Sequence, residues 1–204
     1  GFLGPFSSRR PAQRAIDVLL LGHDLRTCTS RISATRRAAG CIRAELGTCA
    51  APCGDAAAMA PYAQVAAAAR QSIAVDLSPV VAAVSRRLGG LARAERFEQA
   101  ASLRDDLRLT LQAADHGRQL TMMGACAQIV AAEPVGQDWH IHVIRHGRLA
   151  AAARARPDQD PVSVVEAAVA AAAAVAAPTG SLTSASAEES RLVLRWLSNP
   201  GVRL

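Results

Sequence analysis

SPVVAAVSRRLGGLARAERFEQAASLRDDL, residues 78–107, decides the fold. Ser78 is a good helix N-cap and Pro79 suits the first helical position. Val80, Val81, Val84, Leu88 and Leu91 then recur at helical spacing, which predicts a helix from Ser78 to about Arg93, weakened locally by Gly89-Gly90. A turn near Ala94–Arg96 leads to a second stripe of Phe97, Ala100, Ala101, Leu103, Leu107 and Leu111, a helix to about Asp115. Two amphipathic helices joined by so short a turn form an antiparallel hairpin.

Upstream, residues 55–75 read as a connecting helix, with Pro61 in its first turn and Tyr62, Val65 and Ile73 as its larger side chains. Farther back, Ser7-Ser8 precede a short helix from about Pro11 to Leu21, ended by Gly22. Between these helices, residues 28–54 are polar and hold Cys28, Cys41, Cys49 and Cys53. A segment of this composition buries little apolar area, so something other than a hydrophobic core must organise it.

Downstream the pattern changes. Ala127–Ala132 fits a strand. Trp139–Ile144 alternates apolar and polar residues, Arg145–Arg148 reads as a turn, and Leu149–Ala155 as the returning strand of a β-hairpin. Residues 162–176 and Ala187–Leu197 read as helices, with a loop at 178–186, and Val202–Leu204 begins another strand. The expected class is α+β, mainly α: a Cys-rich metal-cluster segment, an antiparallel helical hairpin, and a small C-terminal β-hairpin plus helices. The expected divisions are 1–27, 28–54, 55–77, 78–116 and 120–204.

All 23 basic residues are Arg, Ala is abundant and aromatics make up 3%, so helices with thin cores are expected. Residues 1–54 carry eight Arg against Asp17, Asp24 and Glu45, whereas the rest carries fifteen Arg against fourteen acids. A local basic segment neutralises phosphates; Arg26, Arg31, Arg36, Arg37 and Arg43 are the candidate DNA contacts. The most apolar run, Val162–Ala177, is too short for a membrane span and contains Glu166, so no membrane partner and a cytoplasmic location are expected. The chain opens on Gly1 rather than Met, as a piece of a longer protein would.

In a compartment that keeps thiols reduced, four clustered cysteines point to a metal centre rather than to disulfides. Thiolates suit zinc or an iron–sulfur cluster, and the spacing alone does not choose between them. His140 and His142 share one strand face with no evident third ligand and are expected to face solvent. His146, in the turn, is expected to be solvated and Cys126 to be a small buried residue.

These residues resemble a known family. Gly4-Pro5-Phe6-Ser7-Ser8, Leu25-Arg26-Thr27-Cys28, Cys41 and Leu46-Gly47-Thr48-Cys49-Ala50-Ala51-Pro52-Cys53 are similar to the region following the GIY-YIG nuclease domain of UvrC and the related Cho nucleases. The resemblance implies that Cys28, Cys41, Cys49 and Cys53 hold a [4Fe–4S] cluster, with zinc as the alternative. Arg96–Leu107 resembles the UVR motif, which in that family pairs with a similar motif on UvrB. It implies that Phe97, Glu98, Ala101, Arg104 and Asp105 dock a UvrB-like partner. Trp139–Leu149 resembles the strand-turn-strand after that motif. The ending is similar to fusions of a DnaQ-like DEDD exonuclease with a UvrC-like half.

No catalytic residue can be carried over: the GIY-YIG positions would lie before Gly1, and the F-D-x-S-H motif of the UvrC nuclease domain is not found. The resemblance implies the DNA-binding and partner-docking portion of a nucleotide excision repair nuclease. The competing reading is a non-enzymatic, metal-dependent DNA-binding or redox-sensing module that shares the cysteines without needing the hairpin.

Overall fold

The computed structural model describes residues 2–29, 32, 41–47, 49–54, 56–180 and 182–204, which form two compact units, Gly1–Ala114 and Asp115–Leu204. About half the chain is helical.

The first unit contains α1 (Arg9–Gly22), α2 (Ile42–Glu45), α3 (Met59–Ala74), α4 (Ser78–Arg93) and the first part of α5 (Phe97–Ala125). In α1, Ala15, Val18 and Leu19 fall on one side and are buried. They meet Leu77, Val80, Val84 and Ala114, with Leu3, Ile73, Leu88, Leu103 and Leu107 packed around them. Each fully buried Val or Leu contributes about 1.5–3 kcal/mol. Gly22 lets α1 approach α4: a Cβ there would lie 2.9 Å from Val80 Cα. Arg14 of α1 pairs with Asp106 of α5.

α4 and α5 follow one another across a short turn, and two details differ from the expectation. Ser78 is the first helical residue rather than the cap; Asp76 accepts from its backbone N–H at 2.9 Å and its hydroxyl at 2.6 Å. The Ser78 hydroxyl bond is the main reason the Asp76 carboxyl sits below the usual range. Gly89-Gly90 do not interrupt α4. The turn is a Schellman motif: Arg96 N–H donates to Leu91 O at 2.9 Å and Glu95 N–H to Ala92 O at 3.0 Å. Glu95 occupies the left-handed position at φ 57°, where a non-glycine residue costs about 1–2 kcal/mol.

The second unit comprises the end of α5, a three-stranded antiparallel sheet of β1 (Ile129–Val135), β2 (Asp138–Arg145) and β3 (Arg148–Ala155), α6 (Pro161–Ala171) and α7 (Ala187–Leu197). The β2–β3 turn is His146-Gly147, with φ 50° and 81°, the signature of a tight primed turn that matches strand twist. β1 runs to Val135 rather than ending at Ala132, because Pro134 lies on an edge strand, where no ladder donor is required. Arg203 exchanges two backbone bonds with Ala132, so the expected terminal strand is a single antiparallel bridge to β1.

Helices cover both faces of the sheet. Leu120 and Met123 of α5 and Val193 of α7 pack on Ile144. On the opposite face α6 covers Ile141 and Val143, both essentially inaccessible. Asp160 caps α6 by accepting from Val162 and Ser163 N–H, and Ser186 caps α7 through Glu189 N–H at 3.1 Å. α6 ends at Ala171, short of the expected 176. Arg145 holds that end, donating to the carbonyls of Val169, Ala172 and Ala173 at 2.9–3.1 Å, a cation on the negative pole of the helix.

Three expectations about single side chains in this unit are corrected. His142 does not face solvent: its ring stands edge-on to Trp196, centroids 4.4 Å apart, and its Nδ1 is buried without a partner. Trp196 Nε1–H donates to Glu133 at 2.6 Å, fixing the indole over the histidine. His146 is half-buried, its Nδ1 2.9 Å from Gly124 O. Cys126 is also half-buried rather than buried. Burial is the main cause, and neighbouring His140 the second, that pushes the His142 pKa below 6.5, with Glu133 opposing. The unfolded histidine therefore binds a proton more readily than the folded one. The stability that follows is fully present above pH 6.5 and is lost as pH falls through the lowered value. Thermal melts of the chain should lose midpoint between pH 7.5 and 5.5, and His142→Phe should flatten that dependence.

Candidate metal-ligand segment and hairpin tip

Residues 24–58 carry the four cysteines with little local framework. α2 is their one helix among the described residues, and only Pro52 is buried. Ile42 and Leu46 are each 69% exposed. Among the described residues of 28–54, Pro52 alone is buried, so little apolar area is buried there. All four cysteines are free and half-buried, and Arg26 Nη1 donates toward Cys28 Sγ at 3.6 Å. By donor chemistry the set fits a soft metal centre: four thiols, partly shielded, with a cationic donor beside one of them. Position is a separate matter. Among the described residues, no three His, Cys, Asp or Glu side chains are gathered as a metal-binding group.

Of the arginine candidates, Arg26 is half-buried and its backbone N–H donates to the Tyr62 hydroxyl at 3.4 Å; Arg43 is exposed and bonded to Thr27. Arg31, Arg36 and Arg37 lie outside the described residues. The charge is unevenly divided: residues 1–114 hold fifteen Arg against nine acids, residues 115–204 eight against eight.

At the hairpin tip Phe97 is 65% exposed, and Glu98 is exposed beside it. Ala101 is half-buried one turn on. Arg104 grips Asp105 through Nε and Nη2 at 3.1 and 2.9 Å, and Arg108 Nη2 lies 3.7 Å from the same carboxylate. The Arg104 bond is the first cause that lowers the Asp105 pKa. The five docking candidates thus share the first turns of α5, and the stripe of Leu103 and Leu107 faces inward to the core.

Those cysteines and the helices flanking them lie in a stretch with a known counterpart. Residues 1–72 match the UvrC/Cho excinuclease middle domain. The whole chain is also similar to a bifunctional exonuclease/endonuclease protein of Mycobacterium tuberculosis, 35% identical over 99% of this chain and 32% of that protein. UvrABC system protein C of Rhodospirillum rubrum is 29% identical over 56% of this chain and 18% of its own length. That of an Anaeromyxobacter species is 29% identical over 72% of this chain and 21% of its own length. The chain therefore spans about a third or less of these curated relatives. No solved structure matches.

The matched segment is anchored in part by two residues the sequence did not single out, His23 and Ser72. His23, 8% exposed, follows the end of α1, and its Nε2 lies 2.9 Å from the hydroxyl of Ser72, 3% exposed, on α3. Tyr62, also on α3, receives the Arg26 N–H. These two bonds fix both helices flanking the cysteines and leave the stretch between them to other constraints. The available signal was phase: Ser72 falls three residues after buried Ala69, on the inward side of α3. No helix among the described residues is long and apolar enough to cross a membrane.

Proposed function

We propose that this chain is the DNA-binding and partner-docking portion of a nucleotide excision repair nuclease of the UvrC/Cho type. The observation that carries the reading is the middle-domain match over residues 1–72, because it contains all four cysteines and all five arginine candidates. Cys28, Cys41, Cys49 and Cys53 would hold a [4Fe–4S] cluster, or zinc in the alternative. The centre would help organise the cysteine segment, since the free energy of metal binding becomes free energy of folding. Drawing the thiols together would also order the adjacent arginines as a phosphate-binding surface. Arg26, Arg31, Arg36, Arg37 and Arg43 would contact the DNA backbone. Phe97, Glu98, Ala101, Arg104 and Asp105 would dock a UvrB-like partner, with exposed Phe97 as the apolar anchor and the charges setting register.

The chemistry of strand cleavage has no residues assigned to it in this chain. The function read here is therefore recruitment and positioning.

The test is DNA binding as a function of salt, by fluorescence anisotropy with a labelled duplex. Neutralising each phosphate adds about 0.9 to the slope of log affinity against log salt. Arg36→Ala/Arg37→Ala should reduce that slope by about 1.8. Binding indifferent to salt, or a slope unchanged by the double substitution, would contradict the phosphate role.

A further inference from the structure

A second basic surface lies outside the cysteine segment, on α4. This helix carries Arg86, Arg87 and Arg93 and no acidic residue. Its buried side is Val80, Val84 and Leu91. At 100° per residue, Arg86 and Arg93 stand on the opposite side together with Ala82 and Gly89, and Gly89 lies between the two arginines along the helix. Both arginines are exposed, and among the described residues neither has a hydrogen-bond or ion-pair partner. In the same unit Asp105 pairs with Arg104 and Arg108, Asp106 with Arg14, and Asp76 accepts from Ser78.

The glycines give an independent observation. A glycine inside an exposed helix costs about 0.5–1 kcal/mol relative to alanine, and α4 has two in succession. The chain's own packing requires neither. Nothing lies within 4 Å of a Cβ built at Gly90, and at Gly89 only Arg93 Nη1 does, at 3.5 Å. Bare backbone on an open face is what close approach by another molecule needs. The Arg93 side chain lies back over Gly89, its Nη1 3.5 Å from where a Cβ would stand.

We propose that the outer face of α4, Arg86 and Arg93 on either side of the bare backbone at Gly89, is a binding surface for the phosphate backbone of duplex DNA. Seven residues of helix separate the arginines by about 10 Å along its axis, so the two long guanidinium side chains can reach different phosphates of one DNA strand. Charge complementarity selects this occupant: the face offers guanidinium donors and a helix surface free of bulk, and it lacks the large exposed apolar side chain that a protein anchor uses. The proposal rests on the DNA-binding reading above and adds a contact site on the hairpin arm that is separate from the cysteine segment.

The test uses the full chain and a labelled 20-base-pair duplex in anisotropy titrations from 50 to 200 mM salt. Arg86→Ala/Arg93→Ala should weaken binding about tenfold at low salt and reduce the salt slope by about 1.8. Arg148→Ala/Arg191→Ala, which removes the same charge from exposed positions in the second unit, should change binding less than twofold. Gly89→Leu should raise the melting temperature and still weaken binding about fivefold, which separates obstruction of the face from loss of folding. If the parent chain binds DNA and Arg86→Ala/Arg93→Ala behaves like the charge-matched control, this proposal is overturned and the function above stands. If the parent chain does not bind DNA, both fall. If the α4 variants keep DNA binding but lose capture of a purified UvrB-like protein, the face is a protein interface and the proposal is overturned.

Discussion

Gly147→Ala should cost the second unit about 2–5 kcal/mol, a large share of typical domain stabilities of about 5–15 kcal/mol. Two effects add. Gly147 sits at φ 81°, where an L side chain costs about 1–2 kcal/mol. A Cβ there would also lie 2.4 Å from Thr183 Cγ2 and 2.6 Å from its Cβ, and overpacking typically costs about 1–3 kcal/mol. Thr183 has nowhere to withdraw: its hydroxyl lies 2.5 Å from that of Ser190, and Ser184 N–H donates to His146 O at 2.9 Å. Gly136 is the internal control. It has φ 64° in the β1–β2 turn with nothing within 4 Å of a Cβ, so Gly136→Ala should cost only the strain, about 1–2 kcal/mol. Urea unfolding followed by Trp139 and Trp196 fluorescence measures both. Equal losses at the two glycines would mean that the turn does not pack against residues 182–184 as described.

The second large effect concerns the cysteines. Cys49→Ser should abolish metal retention, because a serine hydroxyl is a hard, neutral oxygen where a soft centre needs a thiolate. Protein purified without oxygen should lose its broad visible absorbance and its bound iron, and the first unit should melt at a lower temperature, since the centre contributes to folding. Cys126→Ser is the control. Its sulfur donates to Gln128 O at 3.3 Å in the second unit, and its replacement should leave absorbance and iron unchanged. Cys49→Ser retaining full metal content would remove Cys49 from the ligand set.

The parts of the fold that were legible in the sequence are those set by local chemistry. Asp76, Ser78 and Pro79 mark the start of α4, and Ala94–Arg96 its end, so both boundaries follow from neighbours in the chain. The two ends of α7 and the His146-Gly147 turn are read in the same way. What escaped was decided at long range. α5 was expected to stop near Asp115, after the last apolar residue of its stripe at Leu111. It continues to Ala125 because Leu120 and Met123 supply the core of the second unit. The end of α6 depends on Arg145, twenty-four residues or more from the carbonyls it holds. His142 alternates with apolar residues as an outward-facing residue should, and only Trp196 of α7 turns that face into an interior.

The candidate site divides along the same line. Residue types and order mark the cysteines and the hairpin tip as candidates, because ligand chemistry and helical phase are local properties. The His23–Ser72 bond that braces the flanking helices joins residues forty-nine positions apart, and neither is unusual in its own neighbourhood. The α4 face became visible only when the buried side of that helix and the ion pairs of the same unit were known. Convergence of the four sulfurs is likewise long-range, and it is the step that most needs direct measurement.

That measurement is the iron, acid-labile sulfide and zinc content of the parent chain purified without oxygen. A [4Fe–4S] centre on Cys28, Cys41, Cys49 and Cys53 predicts about four iron and four sulfide per chain, with no zinc. A colourless preparation with one zinc per chain would keep the metal site and contradict the cluster; protein with neither metal and four titratable thiols in this segment would contradict the claim itself.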